Sequence, residues 1–430
     1  MTGFLAALPW LMQGETWKLY SRMPLAGTPA AESSGGSAIK LVCLLWLAGV
    51  AMRMTLLVMP PVIPQVHDEL HLSETQVGLL IGLPLAVFAI AAIPGSLLIS
   101  RIGATVAVTL GMAIAAIAGG ARAAAIDIWT LYAAAIVSAF GVAIMQPGMP
   151  TLVREWLPSR IAVGTIGYSA GMLMGAMLPA VFTIAFVLPA VGGDWRLNVL
   201  FWAVPALLMA PVFLLLSPRT RDSRDKLVAG GGSWWPDWKD PLVWLLGFTF
   251  ASNNSTYFVT SAFIGDYLGS LGKPELLGPA LGWLNGSQIF AVAVLLVTAN
   301  RLQLRAWPFL VFGPIMLAAF VVLLVFTSSA LAIVTATAVV GVAAAVTMTA
   351  ILALPALLTA PADVPRTAAG MFTVSYTCAV IIPTICGGLW DLTGKPWTVF
   401  VPVLLCCVAL TVLGAIVVRF RPAPEKTPGR

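Results

Sequence analysis

The sequence predicts an all-α membrane protein with twelve transmembrane helices in two six-helix, pseudo-symmetric halves. Three observations support this fold class. The composition is strongly apolar, apolar segments long enough to cross a bilayer recur twelve times, and short patterns of the first half return about 200 residues later.

The composition excludes an ordinary soluble protein. Of the 430 residues, 60% are hydrophobic and only 9% are charged, and the mean hydropathy is +0.97. Soluble domains carry about 25% charged residues, so the chain is predicted to cross the membrane many times. The net charge of +6 does not indicate nucleic acid, because the basic residues follow a membrane topology. The five cysteines lie in apolar segments without metal-ligand spacing, so we expect no metal site and no cofactor.

The apolar segments are separated by short polar breaks, and each approaches the roughly 20 residues that a helix needs to cross the hydrocarbon layer. We place the predicted spans at 39–63, 74–99, 104–123, 128–152, 161–189, 196–216, 241–268, 277–299, 306–327, 330–356, 366–388 and 397–419.

The connection after the sixth span is the longest and the most charged, and it divides the chain into two halves. We therefore predict a six-helix half over 39–217, a cytoplasmic linker over 218–240 and a second six-helix half over 241–419. Residues 1–38 form an extension that we expect to be disordered or interfacial, because Gly27–Ser37 is small and polar. Its short apolar segment lacks the basic start of a signal peptide. Residues 420–430 form a cytoplasmic tail.

The distribution of Lys and Arg predicts the orientation. With the N-terminus inside, 18 of the 23 basic residues lie on the inner side and four on the outer side, while Arg53 lies within the first span. Cytoplasmic loops carry an excess of these residues, so both termini are predicted to be cytoplasmic. We expect the protein to lie in the cell's inner membrane.

The two halves repeat each other in sequence. The matching pairs are separated by 200 to 206 residues and occur in the same order: Leu41-Val42 with Leu242-Val243, Gly78 with Gly278, Gly82 with Gly282, Arg101 with Arg301, Gly141 with Gly341, and Arg160 with Arg366. Such a duplication of an even-numbered unit predicts parallel halves related by an axis along the membrane normal.

Arg53 is the most unusual residue of the spans. It lies about 18 Å along the helix from Leu41 and therefore just past the middle of the roughly 30 Å hydrocarbon layer. A guanidinium there costs at least about 2.5 kcal/mol unless it faces protein or a water-filled path. We expect Arg53 to bind an anionic or strongly polar substrate; the alternative is a structural pairing with backbone carbonyls or a neighbouring helix.

The seventh span carries a polar segment, Thr249–Phe258, inside an otherwise apolar helix. The repeat offset of 201 residues places Asn254 level with Arg53, and Asn253 and Tyr257 lie beside it. Each half thus has polarity at a similar depth, where the substrate site of a transporter is expected. Hydrogen bonding between helices is the structural alternative.

Other polar residues of the spans complete the predicted substrate site. They are Gln146 in span 4, Gln288 in span 8, Tyr168 in span 5 and Tyr376 in span 11. Tyrosine offers a small ligand both a hydroxyl and a ring face, although packing is an equally good explanation. Arg122, near the outer end of span 3, can extend to the interface and is assigned to a gate or to the surface.

Glycines at four-residue spacing form stripes in two spans. The stripes are Gly167, Gly171 and Gly175 in span 5, and Gly278, Gly282 and Gly286 in span 8. This spacing lets helix backbones approach closely.

These features resemble the major facilitator superfamily. The pattern Gly95-x5-Arg101-x-Gly103 is similar to the signature between its second and third spans, although the usual acidic residue and the second basic residue are missing. The resemblance implies the major facilitator fold and a gating role for these three residues.

A narrower resemblance is to the cyanate and nitroimidazole permease branch. It rests on short patterns in and after span 1, in span 4 and in span 7: Ala51-Met52-Arg53, Pro61-x-x-Pro64-Gln65, Gln146-x-x-Met149-Pro150 and Asn253-Asn254-x-x-Tyr257. The resemblance implies a secondary transporter that works by alternating access. In this superfamily spans 5 and 8 meet across the two halves, so the resemblance implies that the glycine stripes form the surfaces on which the halves move against each other; packing within one half is the alternative.

The absence of a carboxylate near the middle of any span argues against a cationic substrate. The sequence contains no Walker motif and no catalytic constellation, so we do not expect an enzyme. We expect a monomeric transporter of a small anionic or polar organic solute, cyanate-like or carboxylate-like. Its partners would be the solute, the lipid bilayer, and protons or a counter-ion. The alternative is efflux of nitroimidazole-like or other drug-like compounds.

Overall fold

The computed structural model describes residues 35–72, 74–218, 234–291, 295 and 305–419. Within these ranges all regular structure is helical. The α-helices of eight or more residues are α1 (Gly35–Leu57), α2 (Ile63–Leu70), α3 (Glu74–Ile102), α4 (Ala104–Ala121), α5 (Ile128–Trp156), α6 (Ile161–Phe182), α7 (Trp195–Leu216), α8 (Pro241–Ser270), α9 (Leu277–Gly286), α10 (Trp307–Val325), α11 (Ala330–Leu358), α12 (Val364–Thr393) and α13 (Val401–Val417).

Ten helical segments of this described part are long and apolar enough to cross a membrane, and they coincide with ten of the twelve predicted spans. The seventh span forms α8, which has 30 residues. Its polar segment around Asn254 makes it less apolar than the other long helices. The eighth span begins as α9 and continues into residues outside the described part.

Several sequence predictions also lie outside the described residues. They concern most of the N-terminal extension, the linker over 219–233, Arg301 and the tail over 420–430. The domain boundaries and the cytoplasmic position of both termini therefore stay predictions.

Short polar residues start the helices where the sequence has them. Asp127 accepts a hydrogen bond from the backbone N–H of Thr130 and forms a capping box at the start of α5. Asp194, Asp240 and Ser329 cap α7, α8 and α11 in the same way. These caps bond N–H groups that the first helical turn leaves without a partner, so they fix where each span begins.

Residues Lys40–Arg430 form one compact unit, in which the two halves repeat their helix packing. In the first half α4 packs along α5 and α7, and in the second half α10 packs along α11 and α13. The halves meet where α12 packs against α3 and α5, and where α11 packs against α5 and α6. This arrangement agrees with the predicted fold class.

The glycine stripe of α6 packs against α1 of the same half. A Cβ atom built on Gly171 would overlap the carbonyl oxygen of Trp46, and one on Gly175 would overlap that of Val50. On the facing side, a Cβ atom on Gly49 would overlap the carbonyl oxygen of Tyr168. This stripe was expected to form a surface on which the two halves move against each other. The expectation is wrong for α6, because its glycines are in close contact with α1 of the same half.

The stripe of α9 has a different environment. A Cβ atom on Gly278, Gly282 or Gly286 would meet no described atom within 4 Å. Among the described residues, this stripe therefore makes no close backbone contact.

The inner and outer halves of the central helices differ in burial. Every residue from Gly141 to Val153 in α5 is buried, whereas the outer half of this helix alternates between buried and exposed residues. In α12, most residues from Val364 to Tyr376 are buried and most of those from Thr377 to Thr393 are not. With the predicted topology, the halves of the protein are thus packed together at the cytoplasmic ends of these helices.

Helix α2 follows α1 on the predicted outer side and is held by Glu69. The carboxylate of Glu69 lies 2.8 Å from the guanidinium of Arg196 and accepts a hydrogen bond from the indole of Trp195. These hydrogen bonds, that of Trp195 first, hold the pKa of Glu69 below its usual value. This ion pair connects the helix between spans 1 and 2 to the start of α7.

Candidate functional site

A cavity lies where helices of both halves meet near the middle of the spans; its space, open solvent included, is about 420 Å³. Four of the predicted substrate-binding residues line it: Arg53, Gln146, Tyr168 and Tyr376. The other lining residues are apolar or aromatic: Met52, Leu56, Phe88, Val142, Met149, Met172, Phe250, Met348, Leu352 and Phe372. Helices of the first and the second half contribute to the same cavity, as the symmetry of the sequence predicts.

Arg53 is the charged residue among those that line the cavity. Its side chain is partly exposed, and its guanidinium makes no hydrogen bond or ion pair with any residue that the structure describes. It lies close enough to the phenols of Tyr257 and Tyr376 to interact with both electrostatically. The donors of Arg53 therefore remain available to a ligand.

Two other polar groups of the lining are buried without a partner among the described residues. They are the side-chain oxygen of Gln146 and the hydroxyl of Tyr168, whose residues are 4% and 2% exposed. A buried polar atom that lacks a hydrogen bond costs about 1–3 kcal/mol. A bound solute that supplies the missing bonds would offset this cost.

Aromatic rings form one wall of the cavity. The ring of Tyr376 is stacked with that of Phe372 at a centroid distance of 6.1 Å and an angle of 11°, and it lies 5.1 Å from the ring of Phe88. The ring of Phe250 packs edge-to-face on Phe372 at 5.5 Å. The predicted site did not include these phenylalanines, because an aromatic residue in an apolar span does not stand out. The spacing of Phe372 and Tyr376, four residues apart in one helix, could have indicated the wall.

The two asparagines of α8 lie beside the cavity lining but form hydrogen bonds with neighbouring helices. The side-chain oxygen of Asn253 accepts from the hydroxyl of Thr347 in α11 at 2.7 Å. The amide of Asn254 donates to the hydroxyl of Ser375 in α12 at 2.9 Å. These contacts correspond to the structural alternative, and a substrate-binding role for the asparagines stays a prediction.

Tyr257 and Gln288 form a second polar group on α8 and the segment after α9. The hydroxyl of Tyr257 donates to the side-chain oxygen of Asn285 at 2.7 Å, and Gln288 lies beside it. The amide of Gln288 donates to the carbonyl oxygen of Leu284. Both residues are outside the lining of the cavity, although Tyr257 lies near Arg53.

Arg122 is buried rather than on the surface, and its role in a gate stays a prediction. It is 2% exposed, and its guanidinium donates to the carbonyl oxygen of Thr55 in α1 at 2.9 Å. Because Thr55 lies two residues after Arg53, this contact fixes the turn of α1 that carries the cavity cation. The position of Arg122 near the end of span 3 suggested that its side chain lies at the interface. Instead, α7 packs on the end of α4 and encloses the side chain.

The three residues of the predicted signature lie at the turn between α3 and α4. Gly103 has a positive φ of 84° and precedes α4, which explains why a glycine is needed there. Arg101 is exposed in the last turn of α3. Gly95 lies against α5, since a Cβ atom there would be 3.0 Å from the Cα of Ile144.

Comparison with known proteins gives three relatives and a family. The sequence model of the Major Facilitator Superfamily matches residues 45–302. The chain is 25% identical over 262 residues to the 2-nitroimidazole transporter of Escherichia coli, 24% over 254 residues to the cyanate transport protein CynX of the same species, and 24% over 231 residues to the uncharacterized transporter YycB of Bacillus subtilis. These matches cover 54–58% of this chain, and 56–65% of the relatives, which is less than two thirds of their length.

Solved structures agree with the fold. The E. coli fucose:proton symporter FucP superposes with a TM-score of 0.64 over 88% of this chain and 98% of FucP, at 12% identity. The proton:xylose symporter XylE superposes with a TM-score of 0.67 over 90% of this chain and 95% of XylE, at 11% identity. At such identities the likeness concerns the fold alone.

Proposed function

Because the chain belongs to the Major Facilitator Superfamily, and so is a transporter of small solutes, we propose that it is a secondary transporter of a small anionic or polar organic solute. In this proposal Arg53 binds the negative or most polar group of the solute. Gln146, Tyr168 and Tyr376 bind the remaining polar groups, and Tyr257 and the asparagines of α8 support the second half of the site.

The observation that carries the proposal is the unpaired guanidinium of Arg53 in a cavity formed by both halves. A cation near the middle of a membrane is costly, and here no described carboxylate compensates it. An anionic solute would supply the missing charge and accept the forked donors of the guanidinium.

The relatives support the same class of solute. One is named for 2-nitroimidazole and one for cyanate, which are a polar heteroaromatic compound and a small anion. Efflux of nitroimidazole-like compounds is the second candidate, and the aromatic wall of the cavity favours it. An increase of drug sensitivity on deletion of the gene, without a loss of anion uptake, would support efflux instead.

We propose that transport follows alternating access. The packing of α5 and α12 at their predicted cytoplasmic ends supports an outward-open arrangement, in which solute reaches Arg53 from the outer side. The signature residues Gly95, Arg101 and Gly103 would act in the closing of the inner side. Protons are the first coupling ion to test, because two structural neighbours are proton symporters.

The test is counterflow in liposomes that contain the purified protein, with labelled cyanate, acetate, benzoate and 2-nitroimidazole as probes. The variant Arg53→Ala should lower uptake of the transported probe at least about 30-fold, because removing one partner of a buried charge pair costs about 2–5 kcal/mol. Arg53→Lys should restore part of it, and Lys239→Ala, outside the cavity, should leave it unchanged. Normal uptake by Arg53→Ala would contradict the proposal.

A further inference from the structure

We infer that the central cavity selects a planar aromatic monoanion that also carries a hydrogen-bond donor, such as a ring-hydroxylated arene carboxylate. This inference rests on the proposed function and specifies its substrate class. Three independent features of the cavity support it: one unpaired cation, a wall of four aromatic rings, and two buried polar groups that lack partners.

The charge of the lining indicates one negative group. Arg53 is its charged residue, and no Asp or Glu is among the residues that line the cavity. A single carboxylate can accept two parallel hydrogen bonds from the guanidinium. A dianion would bring a second charge into an apolar site without a partner, and a cation would be repelled.

The aromatic wall indicates a flat ring in the ligand. The rings of Phe88, Phe250, Phe372 and Tyr376 lie within 5.1–6.4 Å of their neighbours, in stacked, tilted and edge-to-face arrangements. Such arrangements are the ones that aromatic pairs prefer, so a ligand ring could extend the cluster.

The lining also offers adaptable apolar contacts. It includes the methionines Met52, Met149, Met172 and Met348. Methionine sulfur packs favourably on aromatic rings. A three-atom anion such as cyanate would contact few of these side chains.

The unpaired polar groups indicate a donor on the ring. The side-chain oxygen of Gln146 can only accept a hydrogen bond, and it is buried without a described partner. A hydroxyl or amino group of the ligand would satisfy it, and the Tyr168 hydroxyl could then accept or donate beside it. Sites built to bond a hydroxyl discriminate strongly against ligands that lack it.

The test is calorimetric titration of the purified full-length protein with a matched set of probes. The set comprises 4-hydroxybenzoate, benzoate, cyclohexanecarboxylate, benzamide, phthalate and cyanate. We expect affinity to fall at least about tenfold from 4-hydroxybenzoate to benzoate, because the donor is lost. It should fall again to cyclohexanecarboxylate, which keeps the charge but loses the flat ring, and benzamide, phthalate and cyanate should bind weakest.

Two variants assign the selectivity to named residues. Gln146→Met should bring the affinities for 4-hydroxybenzoate and benzoate to within about twofold of each other. Methionine keeps the length of the side chain but has no oxygen to accept the ligand's donor; it also removes the amide N–H groups beside Tyr376, a loss that affects both ligands. Phe88→Leu should reduce the preference for benzoate over cyclohexanecarboxylate while both still bind. Lys239→Ala should change neither ratio.

The possible outcomes separate the two proposals. If cyanate binds more tightly than every aromatic acid and Arg53→Ala abolishes this binding, the proposed function stands and the aromatic class is wrong. Equal affinity for benzoate and cyclohexanecarboxylate would also contradict the aromatic class. If aromatic acids bind unchanged to Arg53→Ala, the role of Arg53 in the proposed function fails as well.

Discussion

Helices α1 and α8 are equivalent in the sequence repeat, yet their polar residues differ in whether they have hydrogen-bond partners. Arg53 of α1 has no described hydrogen-bond partner and lines the central cavity, whereas Asn253 and Asn254 of α8 are bonded to Thr347 and Ser375. A polar residue in a span thus indicates a ligand site only where the protein leaves it without a partner. Polar residues that are already paired hold helices together.

The glycine stripes of α6 and α9, which are not equivalent in the repeat, also differ in their packing. The stripe of α6 brings its backbone against α1 near Trp46 and Val50, while that of α9 meets no described atom closely. The same four-residue spacing therefore brings two backbones together at α6, whereas at α9 it makes no close contact with a described residue.

The largest expected effect concerns these stripes. Gly171→Leu should reduce the yield of folded protein and destabilise it by about 3 kcal/mol or more, because its side chain would overlap the backbone of Trp46. The matched variant Gly282→Leu should fold normally, as its Cβ atom would meet no described atom within 4 Å. Size-exclusion profiles and thermal unfolding of both variants measure this difference. Equal stability of the two would remove the distinction between the stripes.

The second prediction contrasts Arg53 with Asn254 in the empty protein. Arg53→Ala should leave the Tm unchanged or raise it, because it removes a cation that costs at least about 2.5 kcal/mol in a membrane. Asn254→Ala should lower stability by about 0.6–1.7 kcal/mol, the range for hydrogen bonds between membrane helices. Thermal unfolding without ligand measures both. A lower Tm for Arg53→Ala would indicate a structural partner for its guanidinium.

The third prediction concerns the bond between α8 and α12. If Asn254 and Ser375 stabilise the protein through their mutual hydrogen bond, the losses of stability in Asn254→Ala and Ser375→Ala should not be additive. The double variant should then be about as stable as the less stable of the two single variants. Combining Arg53→Ala with Asn254→Ala should instead give additive changes in stability. Additive losses for the Asn254 and Ser375 pair would show that the bond contributes little.

The smallest expected effect concerns Glu69 on the outer side. Its pKa is held below the usual value of 4.5, so its ion pair stabilises the protein above that pH and loses this effect as the pH falls through the lower folded-state pKa. Because Glu69 is half exposed, we expect less than about 1 kcal/mol. The Tm of the wild type should be slightly higher than that of Glu69→Gln at pH 7, and the two Tm values should converge below pH 4.5. A difference that persists in acid would exclude this ion pair as its cause.

Much of the fold could be predicted from the sequence because its signals are local. Ten predicted spans coincide with long apolar helices, and residues such as Asp127 and Gly103 start or separate helices where their chemistry favours it. The candidate site was predictable only in part. Arg53 stands out in any apolar span, whereas Phe88 and Phe372 look like ordinary core residues until their rings are seen beside the cavity.

The sequence by itself determined the class of the protein, the positions of its spans, the duplication of its halves and the residue whose charge demands an explanation. These follow from composition, periodicity and the cost of a charge in hydrocarbon, which depend on a few neighbouring residues at a time. Only the tertiary structure decided that Asn254 is paired, that Arg53 has no partner among the described residues, that the α6 stripe faces α1, and that Arg122 is buried. The reason is that a polar group or a glycine acquires its role from a partner on another helix. For Asn254 that partner, Ser375, lies 121 residues away along the chain.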